Sequence, residues 1–247
     1  MINTIQLGNC YELIKNIPDK SIDCVYVDIP YLYQQHGGGN SPLAKRKWNQ
    51  RMQLVELDIE DGIDYSIFDE FKRIMKNTNI FIWCSRLQIK DILNYWVENG
   101  IMYNILTWNK TNPSPTTNNT WLPDIEYCLY FRNNKTKLND EYEYKSQWYI
   151  SPINKSDKDK YNHPTIKPLE LVKRHILHST QPNDIVLDCF CGSGTTCVAC
   201  KETGRRFIGM EIDPEYHKIA VDRLNGITAN GQTSIFTDFE NIRIGDE

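Results

Sequence analysis

The sequence predicts an α/β fold with a mostly parallel sheet. Three observations lead there. Short apolar runs alternate along the chain with segments whose apolar residues recur at helical spacing. A glycine-rich turn, Gly192-Ser193-Gly194, follows one such run and opens a helix. The length, 247 residues, suits one large domain or two small ones and can bury a sizeable core without disulfides or metal.

Six strands are expected. Ile22–Asp28 (IDCVYVD) is an apolar run that stops at the turn signal Ile29-Pro30-Tyr31. Asn79–Cys84 and Ile101–Asn109 follow, then Asp124–Phe131, Asp184–Asp188 and Arg206–Glu211. Helices fit between them at Ser66–Lys76, Leu87–Gly100, Pro168–Ser179, Thr195–Thr203 and Pro214–Asn225. Pro168 suits a first helical turn, and Gly226 suits a helix stop. Three segments lack such structure. Residues 32–62 open with three glycines and read as a long loop; 112–119 is turn chemistry; 133–162 is polar, dotted with aromatics and without period.

Composition narrows the function. Apolar residues are 40% and charged residues 24%, and mean hydropathy is −0.54, which argues against long disorder and collagen. No apolar run is long enough to span a membrane, and the start lacks the pattern of a signal peptide, so a cytoplasmic protein without a membrane partner is expected. Its eight cysteines are then expected as thiols. The net charge of −4 argues weakly against a nucleic-acid partner, but the distribution matters more. Residues 44–51 pack Lys45, Arg46, Lys47, Arg51 and Trp48 into one short stretch. The plain reading of such a run is a solvated face.

Three motifs carry chemistry. Asp188-Cys189-Phe190-Cys191-Gly192-Ser193-Gly194-Thr195-Thr196 lets the backbone approach a ligand at a helix N-terminus. It lacks the third glycine of a dinucleotide fingerprint and the lysine of a phosphate loop. Glu211 follows Gly194 by seventeen residues, at the end of the next strand, where an acid can bind both ribose hydroxyls. The site therefore suits a nucleoside without a pyrophosphate. Asp28-Ile29-Pro30-Tyr31 places a carboxylate at a strand end, where open α/β sheets bind ligands. His163-Pro164-Thr165-Ile166-Lys167-Pro168 is an extended approach to a helix.

Together these motifs closely resemble the amino-methyltransferases of DNA in their β-class order. There an Asp-Pro-Pro-Tyr-type motif comes first, and a His-Pro-Thr-x-Lys-Pro segment precedes a late Phe-x-Gly-x-Gly motif. The resemblance extends to Gly8-Asn9-Cys10 and to Trp108-Asn109-Lys110, and covers about residues 1–131 and 161–225. It implies a Rossmann-like methyltransferase fold: a mostly parallel seven-stranded sheet, helices on both faces, circularly permuted motif order. It implies a single catalytic domain over 1–247, with a DNA-contacting loop at 32–62 and a small target-recognition insertion at about 133–162. Two departures stand out. Ile29 replaces the usual first proline, and Asn9 stands where an Asp usually meets the cofactor adenine.

By this resemblance the cofactor is S-adenosylmethionine. It is held by Asn9, Cys10, Asp28, Asp188, Phe190, Gly192, Gly194, Thr195, Thr196 and Glu211, with Thr165 and Lys167 near its amino-acid end. Asp28 and the Ile29 carbonyl accept the two N–H bonds of an adenine amino group, Pro30 shapes the turn, and Tyr31 stacks on the base. Those two acceptors matter because the amino lone pair is delocalised into the ring; drawing the nitrogen towards tetrahedral geometry frees it to attack. Double-stranded DNA must open for this, with the base flipped out. Lys45, Arg46, Lys47 and Arg51 would meet phosphates, and Trp48 a sugar or base. The small recognition insertion suggests a homodimer.

No metal is expected. Cys189 and Cys191 flank Phe190 in the turn, and Cys197 and Cys200 suit helix packing as small hydrophobes. The alternative functions are three. A cytosine-N4 enzyme of the same fold commonly has Ser at the place of Asp28. The others are an enzyme acting on RNA or another amino group, and a catalytically silent nucleic-acid-binding module.

Overall fold

A computed structural model describes residues 1–32, 62–98, 100–113, 121–153, 155–161 and 166–231. Eight strands form one sheet: β1 Thr4–Leu7, β2 Cys24–Asp28, β3 Asn79–Cys84, β4 Ile101–Lys110, β5 Ile125–Asn133, β6 Trp148–Ser151, β7 Ile185–Asp188 and β8 Arg206–Glu211. Their lateral order is β1-β8-β7-β2-β3-β5-β4-β6. Every pairing is parallel except those of β5, which runs against both β3 and β4.

The helices are α1 Cys10–Leu13, α2 Ile67–Ile74, α3 Ile89–Trp96, α4 Lys155–Tyr161, α5 Leu169–Ser179, α6 Thr195–Glu202 and α7 Pro214–Leu224. Asp213 caps α7 by accepting from the backbone N–H groups of Glu215 and Tyr216, and Pro214 takes the first turn.

The expected seven strands are eight. The six apolar runs all form strands, and two short edge strands, β1 and β6, are added. Each has four residues and is only partly buried, so neither stands out as an apolar run. β6 and α4 also give structure to 133–162, which was expected as loop. β6 joins the sheet through backbone pairing with β4, from Thr107 opposite Trp148 to Lys110 opposite Ser151.

Strand alternation sends side chains into two cores. Val25 and Val27 of β2 face the core built with Phe68, Phe71 and Trp96 of α2 and α3. Cys24 and Tyr26 face the core of Leu171, Val172, Ile176, Cys197 and Cys200 on α5 and α6. All eight cysteines are unpaired and buried. Among the described residues no helix is long and apolar enough to cross a membrane, and no cluster of potential metal ligands occurs.

Candidate active site

Three neighbouring parallel strands, β2, β7 and β8, end in acids: Asp28, Asp188 and Glu211. Their carboxyl ends lie where the chain leaves the sheet, the place at which open α/β sheets bind ligands. The turn after β7 is tightly held. Cys191 N–H donates to the Met210 carbonyl at 3.1 Å, and Gly194 N–H to the Cys191 carbonyl at 2.7 Å. Gly192 and Gly194 have φ of 48° and 75°, a region costly for residues with a Cβ.

Glu211 closes this turn. Its Oε2 accepts from Gly192 N–H at 2.7 Å, and its Oε1 from Asp213 N–H at 2.9 Å. Burial pushes its carboxyl above the ordinary range despite those bonds. Asp188 accepts from Phe190 N–H at 3.0 Å and from the Thr196 hydroxyl. Burial outweighs these bonds, and the charges of Asp28 and Glu211 add to it, so the Asp188 carboxyl is raised to about 7. Such a cluster favours a cationic ligand. From beneath, buried Arg223 of α7 donates to the Ser193 carbonyl at 3.2 Å and to Thr195 Oγ1 at 2.7 Å. This fixes the start of α6. Its guanidinium also stacks over Tyr161 of α4 at 5.1 Å, tying the end of that helix to the turn.

Asn9 and Cys10 open α1 beside this turn. Gly8 N–H donates to the Glu211 carbonyl, and the Asn9 side chain caps α1 by accepting from Tyr11 N–H at 2.9 Å. Burial pushes the Cys10 thiol up to about 12, with Glu211 adding to the shift.

The motif after β2 is braced by residues that the sequence did not point to. Ile29 is buried, and its N–H donates to the Trp83 carbonyl at 3.2 Å, extending the ladder between β2 and β3. A proline there has no N–H and would lose that bond. Gln88, fully buried, donates to the Pro30 carbonyl at 2.9 Å and accepts from Ser85 N–H at 3.0 Å. Lys167 stands directly at Asp28, with Nζ 2.6 Å from Oδ2. Glu126 of β5 bridges Lys167 at 2.9 Å and Lys110 of β4 at 2.6 Å. Burial pushes the Glu126 carboxyl up, but the two ammoniums overcome this and hold it at about 2. Tyr31 lies against the same group: its hydroxyl accepts from Lys167 at 3.4 Å, and burial raises its pKa. Asp28 Oδ1 is buried and has no hydrogen-bond partner among the described residues.

The structure thus brings Asn9, Cys10, Asp188, Phe190, Gly192, Gly194, Thr195, Thr196 and Glu211 to one turn. It brings Asp28, Ile29, Pro30, Tyr31 and Lys167 to the adjoining strand end. Thr165 and the cluster of Lys45, Arg46, Lys47, Trp48 and Arg51 lie outside the described residues. Glu126, Gln88 and Arg223 are additions. An acid inside an otherwise apolar strand was the only available sign of Glu126; the other two left none.

Comparison with known proteins follows the same lines. The family model described as DNA methylase, for N6 and N4 methyltransferases, matches residues 22–222. The chain is 33% identical over 259 residues to the Type II methyltransferase M.HinfI of Haemophilus influenzae, covering 93% of this chain and 70% of that protein. It is 32% identical over 243 residues to the Type II methyltransferase M2.DpnII of Streptococcus pneumoniae, covering 88% and 87%. Among solved structures, the complex of M1.HpyAVI with S-adenosylmethionine superposes with a TM-score of 0.65 at 28% identity, covering 90% of this chain and 98% of that one.

Proposed function

The chain belongs to the DNA methylase family of N6 and N4 methyltransferases, and from that premise we propose that it methylates N6 of adenine in a base flipped out of double-stranded DNA. As a member it is a DNA methyltransferase that uses S-adenosylmethionine. The observation that carries the choice of base is Asp28: a carboxylate heads the catalytic motif, and its Oδ1 is an unspent acceptor.

The residues present suit this cofactor. S-adenosylmethionine carries a sulfonium and an ammonium, and the acids Asp28, Asp188 and Glu211 offer matching negative charge. We assign Glu211 to its ribose, and assign the Gly192–Thr196 turn, Asp188 and the Asn9-Cys10 start of α1 to the rest of its binding. When bound, S-adenosylmethionine supplies an electrophilic methyl group. Asp28 Oδ1 and the Ile29 carbonyl accept the amino hydrogens, and Tyr31 packs beside the base. The nitrogen lone pair is then aimed, and transfer needs no covalent link to the protein. Positioning and fixed charges supply the catalysis.

The remaining parts of the reading rest on sequence. Lys45, Arg46, Lys47, Trp48 and Arg51 contact DNA, 133–162 contributes to target recognition, and one catalytic domain spans 1–247. The protein works in the cytoplasm as a homodimer, for which the exposed apolar residues on one face of β4, β5 and β6 are the support.

The test is methyl transfer to unmethylated DNA from a labelled donor, with the product nucleosides separated. N6-methyladenine is expected, and N4-methylcytosine would favour the cytosine reading instead. Asp28→Ala should lower the rate by at least about a hundredfold while the fold stays intact. Near wild-type turnover by that folded variant would remove Asp28 from the mechanism.

A further inference from the structure

We infer that Lys167 is a positioning residue for the catalytic carboxylate, and that Glu126, backed by Lys110, anchors it. This rests on the reading of Asp28 as acceptor for the target amino group.

An ammonium has three donors. In Lys167 they point to Asp28 Oδ2 at 2.6 Å, Glu126 Oε2 at 2.9 Å and the Tyr31 hydroxyl at 3.4 Å. None is left for the amino-acid end of a cofactor. The ammonium also lies 4.9 Å from the centre of the Trp83 ring, which lines its other side. Its position is therefore fixed from β2, β3 and β5 at once.

Charge alternates along the row Lys110, Glu126, Lys167, Asp28, so the row as a whole is neutral. The arrangement decides what Asp28 can offer. One oxygen is held by Lys167, while Oδ1 has no hydrogen-bond partner among the described residues and is left to accept. Without Lys167 the carboxylate is free to turn about its own axis, and the acceptor loses its aim. Without Glu126 the ammonium has one anion in place of two. It is then drawn onto Asp28 and competes with the substrate for the same carboxylate. Lys110 holds Glu126 from the far side, at 2.6 Å, and so keeps it from swinging fully onto Lys167.

The test uses the full chain. Glu126→Gln, Lys167→Met and Lys167→Arg are compared with wild type in three measurements: cofactor affinity by calorimetry, DNA affinity at one salt concentration, and single-turnover methyl transfer at saturation of both. The single-turnover rate should fall about tenfold in Glu126→Gln and about a hundredfold in Lys167→Met, the scale of a misplaced catalytic group. Both affinities should stay within about twofold, because Lys167 and Glu126 act through the aim of Asp28 while the groups assigned to the cofactor's ribose and turn, and to the DNA, are unchanged. Lys167→Arg should recover part of the rate, since a guanidinium can still bridge two carboxylates. A Glu126→Gln protein with wild-type rate would overturn the inference. So would a rate loss matched by lost cofactor affinity, which would put Lys167 on the cofactor instead. If Lys167→Met does not fold, Glu126→Gln decides alone, because it keeps the size and an acceptor oxygen. One readout needs no activity. The Nζ of Lys167, labelled with nitrogen-15, should exchange its protons slowly in wild type and fast in Glu126→Gln; equal exchange would overturn the anchoring. A wild type that methylates no DNA would defeat the functional reading, and the exchange result would still decide this one.

Discussion

Asp188 carries a charge that its surroundings disfavour. It is 4% exposed, and burial with the nearby acids raises its carboxyl to about 7. The sign of the consequence follows from linkage. Between about pH 4 and 7 the folded protein holds a proton that the unfolded chain has released. The Asp188 contribution to stability therefore falls as pH rises through that window. A bound cation reverses the preference by favouring the ionised form. Cofactor affinity should then rise with pH up to about 7 and level off above it, with proton release on binding over the rising part. Calorimetry in two buffers of different ionisation heat measures both. An affinity flat across that range, with no proton released, would place Asp188 outside the cofactor site. At this scale the acids at strand ends were legible because the alternating pattern shows where strands stop. Glu126 was not, because its role depends on register. It lies opposite Trp108 of β4, two positions from Cys128, and Cys128 faces Trp83, which in turn faces Asp28. No single-chain pattern contains that lateral path.

At the scale of elements, the turn between β7 and α6 is the part most sensitive to small change. Gly194 has φ of 75°, and a Cβ built on it would stand 3.0 Å from the Ala220 Cβ and 3.3 Å from the Ala220 Cα. The glycine thus serves both the turn and the approach of α7. Gly204 separates these two roles, because its φ is 71° and nothing lies within 4 Å of an added Cβ. Gly204→Ala should cost about 1–2 kcal/mol for the left-handed backbone alone. Gly194→Ala should cost that and a further 1–3 kcal/mol or so from overpacking. Thermal unfolding resolves the difference at about 2–4 °C per kcal/mol in a chain of this size. Equal losses would mean that α7 shifts freely and does not brace the turn. Five of the seven described helices were legible, with ends within about two residues for most: α2, α3, α5 and α7 each bury one apolar face, and α6, buried at every position over Thr195–Cys200, was marked by the glycine turn before it. The short α1 and the polar α4 were not foreseen. β1 and β6 were not, since a four-residue edge strand is held by backbone pairing rather than by its side chains. Ile29 shows the same limit: its fitness at a position usually held by proline comes from a bond to β3.

For the molecule as far as its described residues go, the sheet is longer than the helices that cover it. The face packed by α2 and α3 over β2 and β3 continues across β5, β4 and β6. There the pairing places Tyr103, Ile105, Ile125, Trp148 and Ile150 on one side. All five are at least 40% exposed, and Trp148 reaches 56%. Contiguous apolar surface of this kind is uncommon on a monomer and usually marks an interface. The sequence could place each of these residues in a strand or loop, but not on a shared uncovered face, because the antiparallel turn of β5 and the joining of β6 create it. The homodimer proposed above would use this surface. A twofold axis lying in the face would stack each apolar strand on its own copy and need no other partner. Ile105→Lys, at the centre of β4, would bury two charges against each other in such a dimer, which is strongly unfavourable without a partner anion. The monomer fold should tolerate the change, since the position is already exposed and the strand pairing uses only backbone. Sedimentation velocity at micromolar concentration should therefore show a dimer for wild type and a monomer for Ile105→Lys, with unchanged circular dichroism. A wild type that sediments as a monomer at every concentration would defeat the homodimer, and a variant that remains dimeric would move the interface to another face.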